Sequence, residues 1–263
     1  MKKEYFQCLP GKLCETADCC KGKETPVALT LGDYSRIKQY TSESLEEIWR
    51  KRGNVCLTPH SVFGEIMQTL GLFHNPCPYL SDEHSCSIYE SRPMGCIGFP
   101  FLLLSDKSEE LKTVYQSFQC LHNVKPPQDH ELLAKELMIL MYEEARIELS
   151  ILGDPNVWTV RTDRDYFKLA ADAMKVQAAR DLSGQTTRSK FLTKTISQMI
   201  QLQESGELAQ GIHANLFRYL LEPVIFALAE DKVAAKLAAL ENKVDTHFKE
   251  TTERYREIKR KIK

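Results

Sequence analysis

The chain has 263 residues, 43% of them apolar and 27% charged, with a formal net charge of −1. That composition suits a soluble globular protein with a substantial core and supplies no strong electrostatic signal for a nucleic-acid partner. No apolar run approaches the roughly 20 residues needed to span a bilayer, so no membrane partner is expected. The opening MKKEYFQCLPGKL lacks the apolar stretch of a signal peptide, and the expected compartment is the cytoplasm.

In chain order, TLGDYSRIKQY opens with Thr30-x-x-Asp33, which has the pattern of a capping box and predicts a short helix. SESLEEIWRKRG (42–53) predicts a second helix, closed by Gly53. The segments NVCLTP, QTLGLF, CSIYE, FPFLLL and TVYQSFQCL are short and β-branched or aromatic, and read as strands. SDEHS, between Cys77-Pro-Tyr-Leu and Cys86-Ser-Ile-Tyr, reads as a hairpin turn. NVKPPQDHE (123–131) then breaks the chain and supplies Asp129 as a helix cap.

Helical periodicity dominates from there on. ELLAKELMILMYEEARIELSIL (131–152), RDYFKLAADAMKVQAARDL (164–182), TRSKFLTKTISQMIQLQESG (187–206) and ELAQGIHANLFRYLLEPVIFALA (207–229) each carry it, with Pro223 expected to kink or divide the last. The closing segment starts as a heptad pattern at Val233, Leu237, Leu240 and Val244, loses it, and ends in the basic RYREIKRKIK. The expected fold class is α+β. A small mixed α/β cysteine-rich metal-binding domain (1–126) precedes an all-helical region (127–263) that ends in a long basic-tailed helix and offers a surface for a protein partner.

All nine cysteines lie at or before Cys120, and none follows. Scattered core cysteines would not respect such a boundary. An odd count in a reducing compartment also argues against a disulfide framework. Thiolate ligation of a metal ion or cluster is the better reading. Cys-x-x-Cys knuckles are missing, and irregular spacing with Pro78 after Cys77 suits an iron–sulfur cluster somewhat better than zinc. Few histidines or carboxylates lie among the cysteines, which favours soft, all-thiolate ligation; His122, two residues after Cys120, is the histidine nearest that pattern. Cys56, in the apolar NVCLTP, reads as a core residue. Cys19 and Cys20 on an extended backbone would point to opposite faces, and eight thiolates divide naturally into two four-ligand sites.

These motifs carry a resemblance. YFQC…C…CC, PVALTLGDYSRI and CPYL…CSIYESRPMGCIGFPF together resemble the CxxCxxCC cysteine-cluster family, a zinc- or iron-chelating domain, over residues 5–122. By position, the resemblance implies Cys8, Cys14, Cys19, Cys20, Cys77, Cys86, Cys96 and Cys120 as metal ligands, with zinc or an iron–sulfur cluster as cofactor and no particular reaction. The first motif is stretched relative to the family. FQCLPGKLCETADCC in this form is similar to the start of flagellin lysine-N-methylases, so a protein lysine N-methylase is the alternative function. A zinc-stapled interaction module is another. The chain has no Gly-x-Gly for a dinucleotide-type cofactor cradle and no Ser-His-Asp set, so whether it is an enzyme is left open.

Overall fold

The computed structural model describes residues 17–21, 27–59, 66–73, 76–99, 130–153, 166–181, 186–207 and 214–262. A 3-10 turn at Asp18–Cys20 leads to β1 (Val27–Ala28), α1 (Leu31–Thr41), α2 (Leu45–Arg52), β2 (Gly53–Pro59) and β3 (Ile66–Leu72). A second 3-10 turn at Tyr89–Ser91 and α3 (Met94–Gly98) follow. The helical part comprises α4 (His130–Leu152), α5 (Tyr166–Arg180), α6 (Thr187–Glu204), α7 (Ala214–Leu240), α8 (Val244–His247) and α9 (Lys249–Ile262). The architecture is α+β with a helical C-terminal region, as expected. Among the described residues no helix is long and apolar enough to cross a membrane.

Local chemistry explains the first helices. Thr30 and Asp33 form the predicted capping box on α1, and Ser44 and Glu47 form another on α2. Ser42, in the left-handed region at φ 59°, ends α1 and returns its N–H to the Lys38 carbonyl. Gly53 does close α2, for a reason other than a left-handed cap. Its φ of −71° is extended and the chain passes straight into β2. A side chain there would collide with Trp49, 2.5 Å from its ring, and with the Tyr34 hydroxyl at 2.7 Å.

The sheet is antiparallel in the order β1-β3-β2, with Asn54 opposite Gly71 and Cys56 opposite Thr69. The outer edge of β2 is covered by α7, whose buried Glu222 accepts the Leu57 N–H at 2.9 Å. NVCLTP and QTLGLF are thus strands, as expected. CSIYE is not: Cys86 makes a single bridge to Leu80 and the chain then turns into the 3-10 helix. Lys259 and Tyr255 of α9 take up the Glu90 and Arg92 carbonyls that a strand would have offered to a neighbour. FPFLLL and TVYQSFQCL lie outside the described residues.

Pro223 neither divides nor ends its helix. α7 runs through it for 27 residues and absorbs the start of the heptad segment. The lost amide bond is outweighed by burial around it, where Leu221, Val224, Ile225 and Phe226 are almost fully enclosed. The basic end is a separate 14-residue helix, α9, set off by turns at 241–243 and Phe248.

The expected boundary near residue 126 falls outside the described residues. Side chains from both sides of it share one buried cluster, from Leu31, Trp49 and Leu70 to Leu169, Phe226 and Phe248. Trp49 packs against Phe226 with ring centroids 4.9 Å apart and planes tilted by 45°, and donates its indole N–H to the Glu230 carbonyl. A smaller cluster joins Met94 and Ile97 of α3 to Leu133, Leu137 and Leu140 of α4 and Tyr255 and Ile258 of α9.

Candidate metal centre

Among the described cysteines, Cys19 and Cys20 lie in the first 3-10 turn, Cys77 begins the hairpin, Cys86 closes it, and Cys96 sits in α3. Cys8, Cys14 and Cys120, with His122, lie outside the described residues. Cys56 stands apart in the ladder, 2% exposed, with its Cβ 3.0 Å from the place a side chain on Gly71 would occupy. The absent side chain at Gly71 leaves room for it, as core packing requires.

Backbone bonds bring the cysteine segments together. The Cys77 N–H donates to the Cys20 carbonyl at 2.7 Å, tying the N-terminal turn to the hairpin. The hairpin is pinned by the Leu80–Cys86 bridge, by Ser81 N–H to the Ser85 carbonyl at 2.8 Å, and by Ser87 N–H to the Tyr79 carbonyl at 2.9 Å. His84 takes the left-handed turn position at φ 57°. SDEHS is therefore the turn that its composition implies.

The thiols at 20, 77, 86 and 96 also share one electrostatic neighbourhood. Burial pushes the Cys77 thiol up to about 12; the Tyr79 and Leu80 backbone N–H groups oppose this, and nearby Cys20 and Cys86 add to it. Burial raises Cys96 well above the ordinary thiol range, Cys77, Cys20 and Cys86 add to the rise, and the Arg92 charge lowers it. Cys77 and Cys96 resist ionisation first because they are buried and further because neighbouring thiols would be charged beside them. A bound cation reverses that balance, because thiolate ligands need the positive charge that these sulfurs lack among themselves.

Cys19 and Cys20 differ from the expectation. Their backbone is a 3-10 turn and not an extended segment, so their sulfurs fall 3.8 Å apart. That is far beyond the roughly 2.05 Å of a disulfide bond. It equals the edge of a tetrahedron of thiolates at about 2.3 Å from a zinc ion, roughly 3.8 Å. The adjacent pair is thus compatible with one ion. Among the described residues, no group of three or more His, Cys, Asp or Glu is arranged to hold a metal ion. The sulfurs therefore form a neighbourhood and not a closed cage. The chemistry of the donor set fits soft thiolate ligation, since the neighbouring groups that raise the Cys77 and Cys96 thiols most, after burial, are other cysteines.

The frame that holds the 86–96 loop was not legible as a site in the sequence. Lys259 of α9 donates to the Glu90 carbonyl at 2.5 Å and to its carboxylate at 2.6 Å, and the Tyr255 hydroxyl donates to the Arg92 carbonyl at 2.8 Å. Asp33 of α1 accepts the Met94 N–H at 2.9 Å. Behind Asp33, the buried Arg36 bridges it at 2.6 Å and Glu144 of α4 at 2.6 Å. Burial works against the Arg36 charge, but Asp33 and Glu144 outweigh it and hold the guanidinium firmly protonated. Glu144 also accepts from the Thr30 hydroxyl at 2.5 Å, and Glu148, one turn on, accepts the Leu31 N–H at 2.7 Å. Two glutamate side chains thus take up donors at the N-terminus of α1. Two glutamates four residues apart in the largely apolar ELMILMYEEARIELS were the available signal.

No curated protein and no solved structure matches the chain. A family model does, over residues 7–121: CxxCxxCC, described as "Putative zinc- or iron-chelating domain". Its span takes in eight positions with thiols suited to soft-metal ligation, Cys8 to Cys120 with Cys56 set aside. Metal binding, with zinc or iron unspecified, is what the match supports, and residues 7–121 are similar to this zinc- or iron-chelating cysteine-cluster family.

Proposed function

We propose that the chain holds a thiolate-ligated metal centre around Cys20, Cys77, Cys86 and Cys96, with Cys19 at its edge and Cys8, Cys14 and Cys120 completing the ligand set. The observation that carries this reading is the convergence of thiols from three separate segments on one hairpin, joined by the Cys77–Cys20 backbone bond. Irregular spacing and Pro78 favour an iron–sulfur cluster over zinc. The centre carries electrons or braces the fold, and the chain's own residues serve it in identifiable ways. Tyr79 and Leu80 turn backbone N–H groups toward the Cys77 sulfur, Arg92 favours the Cys96 thiolate, and α9 holds the loop between Cys86 and Cys96. The compartment that suits such thiols is the reducing cytoplasm.

Anaerobic purification followed by metal and sulfide analysis tests the proposal. Brown protein with iron and sulfide in matched amounts is the expected result, whereas colourless protein with zinc would replace the cluster by a zinc site. Cys77→Ser, Cys86→Ser and Cys96→Ser should each lose the metal, and Cys56→Ser should keep it. Full occupancy in the first three would overturn the ligand assignment.

A further inference from the structure

The outward face of α4 is apolar where a solvated helix would be polar. Its inner side packs through Leu133, Leu137 and Leu140 against α3 and α9 and sends Glu144 and Glu148 to α1. Leu132, Met138, Ile139, Tyr142 and Leu149 lie away from that side and are between 46% and 70% exposed. They are five of the eight large apolar side chains that stand exposed among the described residues, gathered on one helix. Single exposed apolar residues need no explanation, but a contiguous row marks a contact surface.

The row has the spacing of a coiled-coil seam. Leu132, Lys135, Ile139, Tyr142, Arg146 and Leu149 follow one another at alternating intervals of three and four residues, with Met138 beside them. At roughly 1.5 Å per residue it runs for about 25 Å, the length of a docked helix and not of a small molecule. Two of the six positions are cationic. Lys135 and Arg146 are exposed, and neither has an ion-pair partner among the described residues. The nearby carboxylates are committed to α9, Glu136 to Lys261 at 2.8 Å and Glu143 to Arg254. Glu131 stands in the first turn, where its charge suits the helix N-terminus, and makes no ion pair with Lys135.

These charges decide between occupants. A second copy packed antiparallel over the whole row would set Lys135 against the copy's Arg146, twice over. Packed parallel, it would set each cation against its own counterpart. Slipping the antiparallel pair by one heptad separates the cations but leaves Leu132 or Leu149 with nothing opposite. Like charges in a seam select against such a self-pair. A helix with carboxylates at those two layers and apolar residues at the other four satisfies every position.

We propose that this face of α4 docks an amphipathic helix of a partner protein, with acidic residues facing Lys135 and Arg146. The surface lies on the side of α4 turned away from α3 and its Cys96, so it is independent of the metal centre.

Fluorescence anisotropy with the full chain, its metal as isolated, tests the surface at near-physiological salt. The probe is a labelled three-heptad helical peptide with leucine at four seam positions and glutamate at the second and fifth. Those two meet Lys135 and Arg146 in either orientation. One control has the same composition with the glutamates moved to the outer face, and another has lysine at the two seam positions. Saturable binding of the glutamate-seam peptide is expected, at least tenfold tighter than either control. Lys135→Glu/Arg146→Glu should reverse the order and prefer the lysine-seam peptide, and Ile139→Ser/Tyr142→Ser should weaken binding at least tenfold. All four side chains are exposed, so the unfolding midpoint should hold in both variants. Should the serine variant fail to fold, the charge-reversed one decides. No saturable binding, equal binding of the outer-face control, or an unreversed preference would overturn the proposal. A dimer of the free chain in sedimentation that Ile139→Ser/Tyr142→Ser abolishes would give the face to a second copy and overturn it as well.

Discussion

Replacing Glu144 with methionine removes one end of a buried ionic bridge between segments 108 positions apart in sequence. The carboxylate is fully enclosed and accepts from Arg36 Nη1 at 2.6 Å, Arg36 Nη2 at 3.1 Å and the Thr30 hydroxyl at 2.5 Å. Its loss leaves Arg36 with Asp33 alone, with the methionine side chain filling the space the carboxylate held. Breaking a buried pair from one side costs about 3–5 kcal/mol, a large share of the roughly 5–15 kcal/mol that holds a domain together. Arg36→Met should cost a similar amount because it strands Glu144 and Asp33 together. The Arg36→Met/Glu144→Met double variant should lose less than the sum, with coupling of about 1–3 kcal/mol. Urea unfolding of the metal-loaded proteins, followed by helix circular dichroism and by tryptophan fluorescence, measures all four corners of the cycle. A Glu144→Met cost below about 1 kcal/mol, or strict additivity in the double variant, would refute the view that this bridge locks α1 to α4.

Glu148 makes a pH prediction with a definite sign. Burial lifts its pKa from 4.5 to about 8; the Leu31 N–H opposes this, and Asp33 and Glu144 add to it. Between about pH 4.5 and 8 the folded chain keeps a proton that the unfolded chain has released, so this group's contribution to stability declines as pH rises through that window. Glu148→Gln, which can still accept the Leu31 N–H, should flatten the decline, and identical slopes for wild type and variant across pH 5–8 would rule the assignment out. Gly32→Ala places a Cβ 2.2 Å from Glu144 Oε2, an oxygen pinned by Thr30 and Arg36. The clash should outweigh the helix-propensity gain of about 1 kcal/mol and lower stability by about 1–3 kcal/mol, read as a drop in the thermal midpoint. An unchanged or higher midpoint would show that Glu144 is free to move.

Features set by local chemistry were readable along the chain. The Thr30–Asp33 box, the SDEHS turn, NVCLTP and QTLGLF as strands and the helical periods over 131–152, 164–182 and 187–206 each depend on neighbours a few residues away, and each stands close to where the pattern put it. The thiol count and its confinement to the first part of the chain pointed to a metal for the same reason, because ligand chemistry belongs to residue types. Where distant partners compete with local preference, the sequence was silent or misleading. CSIYE has strand composition, yet Lys259 and Tyr255, more than 160 residues away, take its neighbouring carbonyls. Pro223 is a breaker by its ring, and burial around it keeps α7 whole. The pairing of Cys20 with Cys77 and the bridge from Arg36 to Glu144 are contacts across long loops. No local spacing encodes such contacts, since their stability comes from desolvation and complementary charge that exist only after the chain has folded.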